Sequence, residues 1–113
     1  MKPIIIQNSK IPVYLSLFIN IGAITLFPFI ISRDEMEDTT LRHEKIHIEQ
    51  QRELLVIFFY ILYIWYWLKG KVKGMTNSNA YMSIPFEQEA YRKMYSDDYL
   101  SKREKYAWRK YIN

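Results

Sequence analysis

The sequence lacks cysteine altogether, which removes several kinds of chemistry at once. Disulfide bonds, thiolate metal sites and a cysteine nucleophile are all excluded. Histidine is nearly as scarce, because the 113 residues include only two. Any metal ion must therefore be held by these two histidines, by carboxylates or by backbone oxygens.

Charged side chains are absent from residues 11–32, a length that alone would nominate a transmembrane helix. Apolar residues alternate with others in its first half, however, which is the period of a half-buried strand. Prolines near both ends suit strand boundaries better than a helix interior. We therefore expect a β-hairpin over residues 12–19 and 24–31, joined by a short strand at 3–7. A membrane hairpin is the alternative.

A secretory signal is also lacking, since the three isoleucines near the start are too short an apolar run and have no cleavage site. The compartment stays open between the cytoplasm and a membrane-associated location. The length fits one domain over residues 1–113. The net charge is +4, with a basic, aromatic tail at 92–110 that is typical of the solvated face of a terminal helix. Nucleic-acid signatures are missing, so no nucleic-acid partner is expected.

Helices are predicted for the rest of the chain. The first runs over residues 39–69, capped by Asp38 or Thr39 and free of proline and glycine until Gly70. Its second half, 54–68, is apolar on all sides, so it is buried in the core or contacts a membrane surface. Lysines follow it, as in an interfacial collar. After a loop at 70–80, two C-terminal helices are expected. The first runs from Ser83 or Ile84 to about residue 95, with Ser83 as its cap, and the second covers 98–111.

Both histidines belong to one motif, H-E-x-x-H, formed by His43, Glu44 and His47. Residues four apart on a helix lie on one face, so the two imidazoles can converge on one metal ion. Glu44 lies about 100° around the helix, where its carboxylate can reach an attacking water without binding the metal. Such a spacing predicts a zinc site.

A catalytic zinc ion usually takes three protein ligands, and a third is needed here. Glu87 and Glu89 lie on the next predicted helix, forty residues or more after His47. Either can be the ligand, although both can also be ordinary surface carboxylates. Gln50 returns to the histidine face of its helix and either supports the site or lies at its rim.

The motif and the run from residue 87 to 91 resemble gluzincins, the HExxH peptidases whose third ligand is a glutamate on a later helix. The pattern E-x-x-A-D or E-x-x-A-N of that family falls on Glu87 and Ala90, so the resemblance implies Glu87 as the ligand. Tyr91 departs from the pattern, where an acid would support a ligand histidine. The chain also resembles a group of small HExxH proteins that share HEKIH, QQ and FExEAY. The resemblance further implies a strand beside the motif helix that binds an extended peptide, for which residues 24–31 are our candidate.

We therefore expect an α+β, minimal zincin-like fold: a small N-terminal antiparallel hairpin packed on a long HExxH helix and two C-terminal helices. The expected activity is zinc-dependent hydrolysis of a peptide or protein substrate, with Glu44 as general base. Tyr81, Tyr91 and Arg92 are candidate oxyanion donors. Two alternatives stay open. One is a non-catalytic, zinc-stabilised binding module, membrane-associated or not. The other is a membrane-surface or nucleic-acid-binding module that needs no metal.

Overall fold

The computed structural model describes residues 3–9, 23–32 and 35–112. Within these ranges the chain is α+β, as the sequence predicts. Short strands come first, and helices form the rest. The elements are β1 (Ile4–Ile6), β2 (Ala23–Leu26), β3 (Phe29–Ser32), α1 (Asp38–Glu53), α2 (Ile57–Val72), α3 (Asn77–Met82), α4 (Pro85–Lys93), α5 (Tyr99–Lys102) and a 3-10 helix (Ala107–Tyr111).

The strands form one mixed sheet in the order β1-β3-β2. β2 pairs antiparallel with β3, but β1 pairs parallel with it, so the prediction of a purely antiparallel sheet is wrong for β1. The single predicted strand at 24–31 is also wrong, because the chain turns back at Phe27 and Pro28. Proline has no N–H to donate and suits a turn better than a continuous strand. The predicted strand at 12–19 lies outside the described residues.

The long helix predicted for residues 39–69 is wrong, because the chain breaks it into α1 and α2, which are bent by 112°. Leu55 and Val56 at the break adopt φ values of 55° and 64°. This left-handed backbone is unfavourable for a side chain, and most of all for a β-branched one. The break is accommodated by a hydrogen bond of 2.7 Å from the Val56 N–H to the Gln51 carbonyl. As a consequence, α2 folds back over α1 instead of extending it.

The core lies where α2 meets α4 and the 3-10 helix, and aromatic rings fill it. Phe59, Ile84, Phe86 and Trp108 are buried there, and the Phe59 and Phe86 ring centroids are 4.7 Å apart. Of the two predictions for this apolar run, burial in the core holds for only one side of α2, because the other side faces outward. Every exposed side chain on α2 is apolar, and together these side chains form what we call the outer stripe: Ile57, Phe58, Ile61, Ile64, Trp65, Leu68 and Val72.

Within the described part of the chain, no single helix is long and apolar enough to span a bilayer. Only α1 and α2 taken together reach the required length and composition, across their 112° bend.

The C-terminal third differs from its prediction in three places. The predicted loop at 70–80 contains the start of α3, capped by the Thr76 hydroxyl, which accepts from the Asn79 N–H. Helix α4 is preceded by Ile84 rather than capped by Ser83. The predicted amphipathic helix at 98–111 is wrong, because the chain forms two short helical pieces separated by left-handed Tyr106. Arg103 holds the C-terminal tail to the core through ion pairs with Glu53 and Glu89, so the tail is not only a solvated face.

Candidate metal centre

The HExxH motif lies in the middle of α1, on the face that packs against α4. His43 and His47 are one turn apart and both are 5% exposed. Glu87 projects from the first turn of α4 and is 4% exposed. Pro85 in the same turn has a backbone angle already suited to a helix start, and the positive end of the helix favours a carboxylate there. The middle of α1 and the first turn of α4 thus bring three ligand-type side chains together.

The three side chains present one ligand atom each to a common point. Nε2 of His43 is 3.1 Å from Oε1 of Glu87, and Nε2 of His47 is 3.0 Å from the same oxygen. The two Nε2 atoms are 3.2 Å apart. A tetrahedral zinc ion with bonds of about 2.0–2.1 Å separates its ligand atoms by about 3.3 Å. The triangle therefore needs to widen by only a few tenths of an ångström to hold zinc on three sides.

Electrostatics make this triangle receptive to a cation. Burial alone would lower the pKa of His47, but the carboxylates of Glu87 and Glu44 and the hydrogen bonds to Glu87 and Gln50 raise it to about 9. Burial alone would raise the pKa of Glu87, but the facing imidazoles hold it well below its usual range. A buried carboxylate thus stays ionised because positive charge is placed against it. A divalent cation can take over that role from the proton on His47.

Tyr63 of α2 completes the surroundings of Glu87. Its hydroxyl donates a hydrogen bond of 2.6 Å to Oε2, the oxygen that does not face the histidines. Burial and the neighbouring Glu87 raise the pKa of Tyr63, so the phenol stays protonated and remains a donor. One oxygen of Glu87 is therefore held by Tyr63, which leaves Oε1 for a metal ion. Sequence reasoning missed Tyr63, because its position depends on the break between α1 and α2.

Gln50 fixes the orientation of His47. Its Oε1 lies 2.7 Å from Nδ1 of His47, while its Nε2 donates to the Phe86 carbonyl and to Oε1 of Glu89, both at 3.0 Å. With both acceptors on the NH2 side, the amide orientation is set, and its oxygen accepts from Nδ1–H of His47. That tautomer leaves Nε2 with its lone pair for a metal. Of the two roles open for Gln50, the structure shows the supporting one.

Glu89, the alternative third ligand, is engaged elsewhere. It is fully buried, and it accepts hydrogen bonds from Tyr99 and Arg103 as well as from Gln50. Arg103 also binds Glu53 at the end of α1, at 2.9 Å and 3.0 Å. This network ties α1, α4 and the C-terminal tail together behind the histidines. The structure therefore brings Glu87, and not Glu89, to the two imidazoles.

Glu44 lies beside the triangle without contributing to it. Its Oε2 accepts a hydrogen bond of 2.5 Å from the hydroxyl of Thr25 on β2. The carboxylate is 8% exposed and close enough to help raise the pKa of His47. Strand β2 packs on α1, so the sheet holds the second carboxylate of the site in place.

Of the three candidate oxyanion donors, Tyr91 contacts a ligand histidine, Tyr81 contacts Tyr91, and Arg92 lies away from the site. Tyr91 packs edge-on against His43, with ring centroids 4.3 Å apart, and its hydroxyl lies 3.1 Å from that of Tyr81. Burial raises the pKa of both phenols, so both keep their protons. Arg92 is exposed and lies over the ring of Tyr111, away from the site. Nδ1 of His43 has no hydrogen-bond partner among the described residues, so Tyr91 does not replace the acid of the gluzincin pattern.

The strand beside the site is not the continuous peptide-binding edge that the resemblance implied. β2 is an edge strand, but two backbone groups at its C-terminal end are already bonded. The Thr25 carbonyl accepts from Gln51 and Tyr60, and the Phe27 N–H donates to Gln51. The side-chain amide of Gln51 thus makes hydrogen bonds of the kind that the backbone of a neighbouring strand would make here. Pairing of a peptide with this part of β2 would require Gln51 to move.

No protein-family model, curated protein or solved structure matches the chain. The likeness to gluzincins therefore rests on the motif residues alone. The function is inferred below from the chemistry of the site.

Proposed function

We propose that the chain is a zinc-dependent peptidase in which His43, His47 and Glu87 hold the metal and Glu44 is the general base. The observation that carries the proposal is the buried triangle of Nε2, Nε2 and Oε1 atoms, 3.0–3.2 Å on a side, with a second carboxylate next to it. Three ligands of the types His, His and Glu leave a fourth position for water, as in catalytic zinc sites. When bound, zinc supplies a Lewis acid that makes water more acidic and polarises a carbonyl.

The protein's own residues would then handle the proton. Glu44 accepts a proton from the attacking water and delivers it to the nitrogen of the scissile bond, so that the C–N bond breaks and an amine leaves. The Thr25 hydroxyl holds Oε2 of Glu44 and so orients the carboxylate. Tyr91, 37% exposed and in contact with His43, is our proposed donor to the oxyanion. Its raised pKa keeps the donor proton in place.

We also propose that the fold is a minimal version of the zincin arrangement. The HExxH helix packs between an edge strand that contacts Glu44 and a later helix that carries the third ligand. Gln50 on the motif helix supplies the acceptor for a ligand histidine that gluzincins take from the later helix. This contact supports His47 only, since Nδ1 of His43 has no hydrogen-bond partner among the described residues.

The test compares Glu44→Gln with Glu49→Gln on a library of extended peptides, with zinc content measured in parallel. Glu49 lies on the same helix and pairs with Arg52 outside the site, so it serves as the matched control. Loss of general base catalysis should lower hydrolysis by about a hundredfold or more while zinc content stays constant. Equal activity of the wild type and Glu44→Gln would refute Glu44 as the base.

A second candidate function is supported by the burial of the site. The three ligands and Glu44 are at most 8% exposed. Such enclosure favours a non-catalytic module in which zinc only stabilises the fold. A zinc site that stays fully bound while Glu44→Gln and wild type are equally inactive would support this candidate.

A further inference from the structure

The outer stripe of α2 is unusual for a helix that covers a protein core. All of its members are apolar, and they are between 47% and 88% exposed. Their spacings of one, three or four residues place them on one side of a helix about 24 Å long. A contiguous apolar surface of this kind usually marks an interaction site. The charged face that would normally meet water is missing here.

The surroundings of the stripe carry positive charge. Lys69, Lys71 and Lys73 follow one another at the C-terminal end of α2, and no acidic residue occurs between Glu53 and Glu87. None of these three lysines forms an ion pair with another described residue. A tryptophan near the middle of the stripe, Trp65, is 59% exposed. Lys71 donates to the Met75 carbonyl but has no acidic partner among the described residues. Exposed apolar side chains and an indole, with lysines that lack such a partner at one end, complement the acyl chains and anionic headgroups of a bilayer surface.

The inner side of α2 determines how it can meet a bilayer. Phe59 is buried in the core, Tyr60 donates to Thr25, and Tyr63 donates to Glu87. These contacts hold the helix on the protein, and its 16 residues are shorter than a bilayer core of about 30 Å. The helix would therefore lie in the plane of the surface and would not cross it.

We propose that the outer stripe of α2 docks on an anionic phospholipid bilayer, with its apolar side chains at the boundary of the acyl chains and Lys69, Lys71 and Lys73 on the phosphates. This docking needs no metal and no hydrolysis. It would place the metal centre on the far side of one helix from the lipid, about 10 Å away. The two functions are linked through Tyr63, which connects α2 to Glu87.

The experiment is co-sedimentation of the purified full chain with phosphatidylcholine vesicles, with and without phosphatidylserine. Two double variants are compared with the wild type. Ile61→Gln with Trp65→Gln should weaken binding at least about tenfold for each side chain lost from the bilayer. Lys69→Gln with Lys73→Gln should weaken binding to the anionic vesicles about fivefold for each lysine and reduce its salt dependence.

Matched controls are Tyr95→Gln, an aromatic residue that is 72% exposed outside the stripe, and Lys105→Gln in the tail. Both should bind vesicles as the wild type does. Circular dichroism and the melting temperature should be unchanged in all variants, because the altered side chains point outward. Failure to bind either vesicle, or equal binding to both, would overturn the proposal. So would stripe variants that abolish a dimer and leave lipid binding intact, since a second copy would then cover the stripe.

Discussion

Replacement of Gln50 by leucine tests how the site holds His47. The change keeps the side-chain volume but removes three hydrogen bonds, of 2.7 Å to His47 and 3.0 Å each to Phe86 and Glu89. Glu89 keeps Tyr99 and Arg103 as donors, whereas Nδ1–H of His47 loses its partner among the described residues. A buried donor left unsatisfied costs about 1–3 kcal/mol. Loss of a residue that orients a ligand histidine typically lowers metal affinity about 10- to 100-fold.

The chain offers a close control for this experiment in the next residue. Gln51 is also buried, but it binds the backbone of β2 and does not touch a ligand. Denaturant unfolding in chelator should show both leucine variants to be less stable, because both leave buried groups unpaired. Competition with a chromogenic chelator should show weakened zinc binding for Gln50→Leu only. Equal zinc affinities in the two variants would refute the assignment of the His47 tautomer to Gln50.

Two further predictions concern other buried contacts of the site. Tyr63→Phe removes the donor to Oε2 of Glu87 and should lower zinc affinity about tenfold, as measured by competition titration. Tyr66→Phe is the control, because the Tyr66 ring packs on Phe86. Equal zinc affinities of the two variants would contradict the role of Tyr63. Arg103→Met leaves Glu53 and Glu89 as buried carboxylates without their cation, so it should reduce the free energy of unfolding by about 3–5 kcal/mol. The control, Arg109→Met, changes an exposed side chain and should cost less than about 0.5 kcal/mol. Similar melting temperatures for the two variants would show that the network does not stabilise the fold.

The local part of the site could be predicted from the sequence. His43 and His47 share a helix face by spacing alone, and Glu87 starts a second helix behind Pro85. The structure places all three together, with Glu44 beside them. The choice between Glu87 and Glu89 could not be made from spacing, because it depends on Arg103, which lies 14 residues beyond Glu89 in sequence.

The larger errors of the sequence-based prediction have one cause, which is contacts between residues far apart in the sequence. Leu55 and Val56 carry no glycine or proline signal for a break, so 39–69 was predicted as one helix. Since α2 folds back, Tyr63 reaches Glu87 and one apolar face is left uncovered, and neither result follows from hydrophobic periodicity. The turn at Pro28 did have a local signal, because proline inside a predicted strand favours an edge or a turn.

The central claim is that His43, His47 and Glu87 bind one zinc ion. The most direct measurement is the zinc stoichiometry and dissociation constant of the wild type, Glu87→Gln and Glu89→Gln, obtained by metal analysis and competition titration. We predict one zinc per chain in the wild type. Glu89 does not bind the metal directly, so Glu89→Gln should lower zinc affinity by at most about 10- to 100-fold, and Glu87→Gln should lower it by more. A wild type that takes up no zinc, or a greater loss in Glu89→Gln than in Glu87→Gln, would contradict the account.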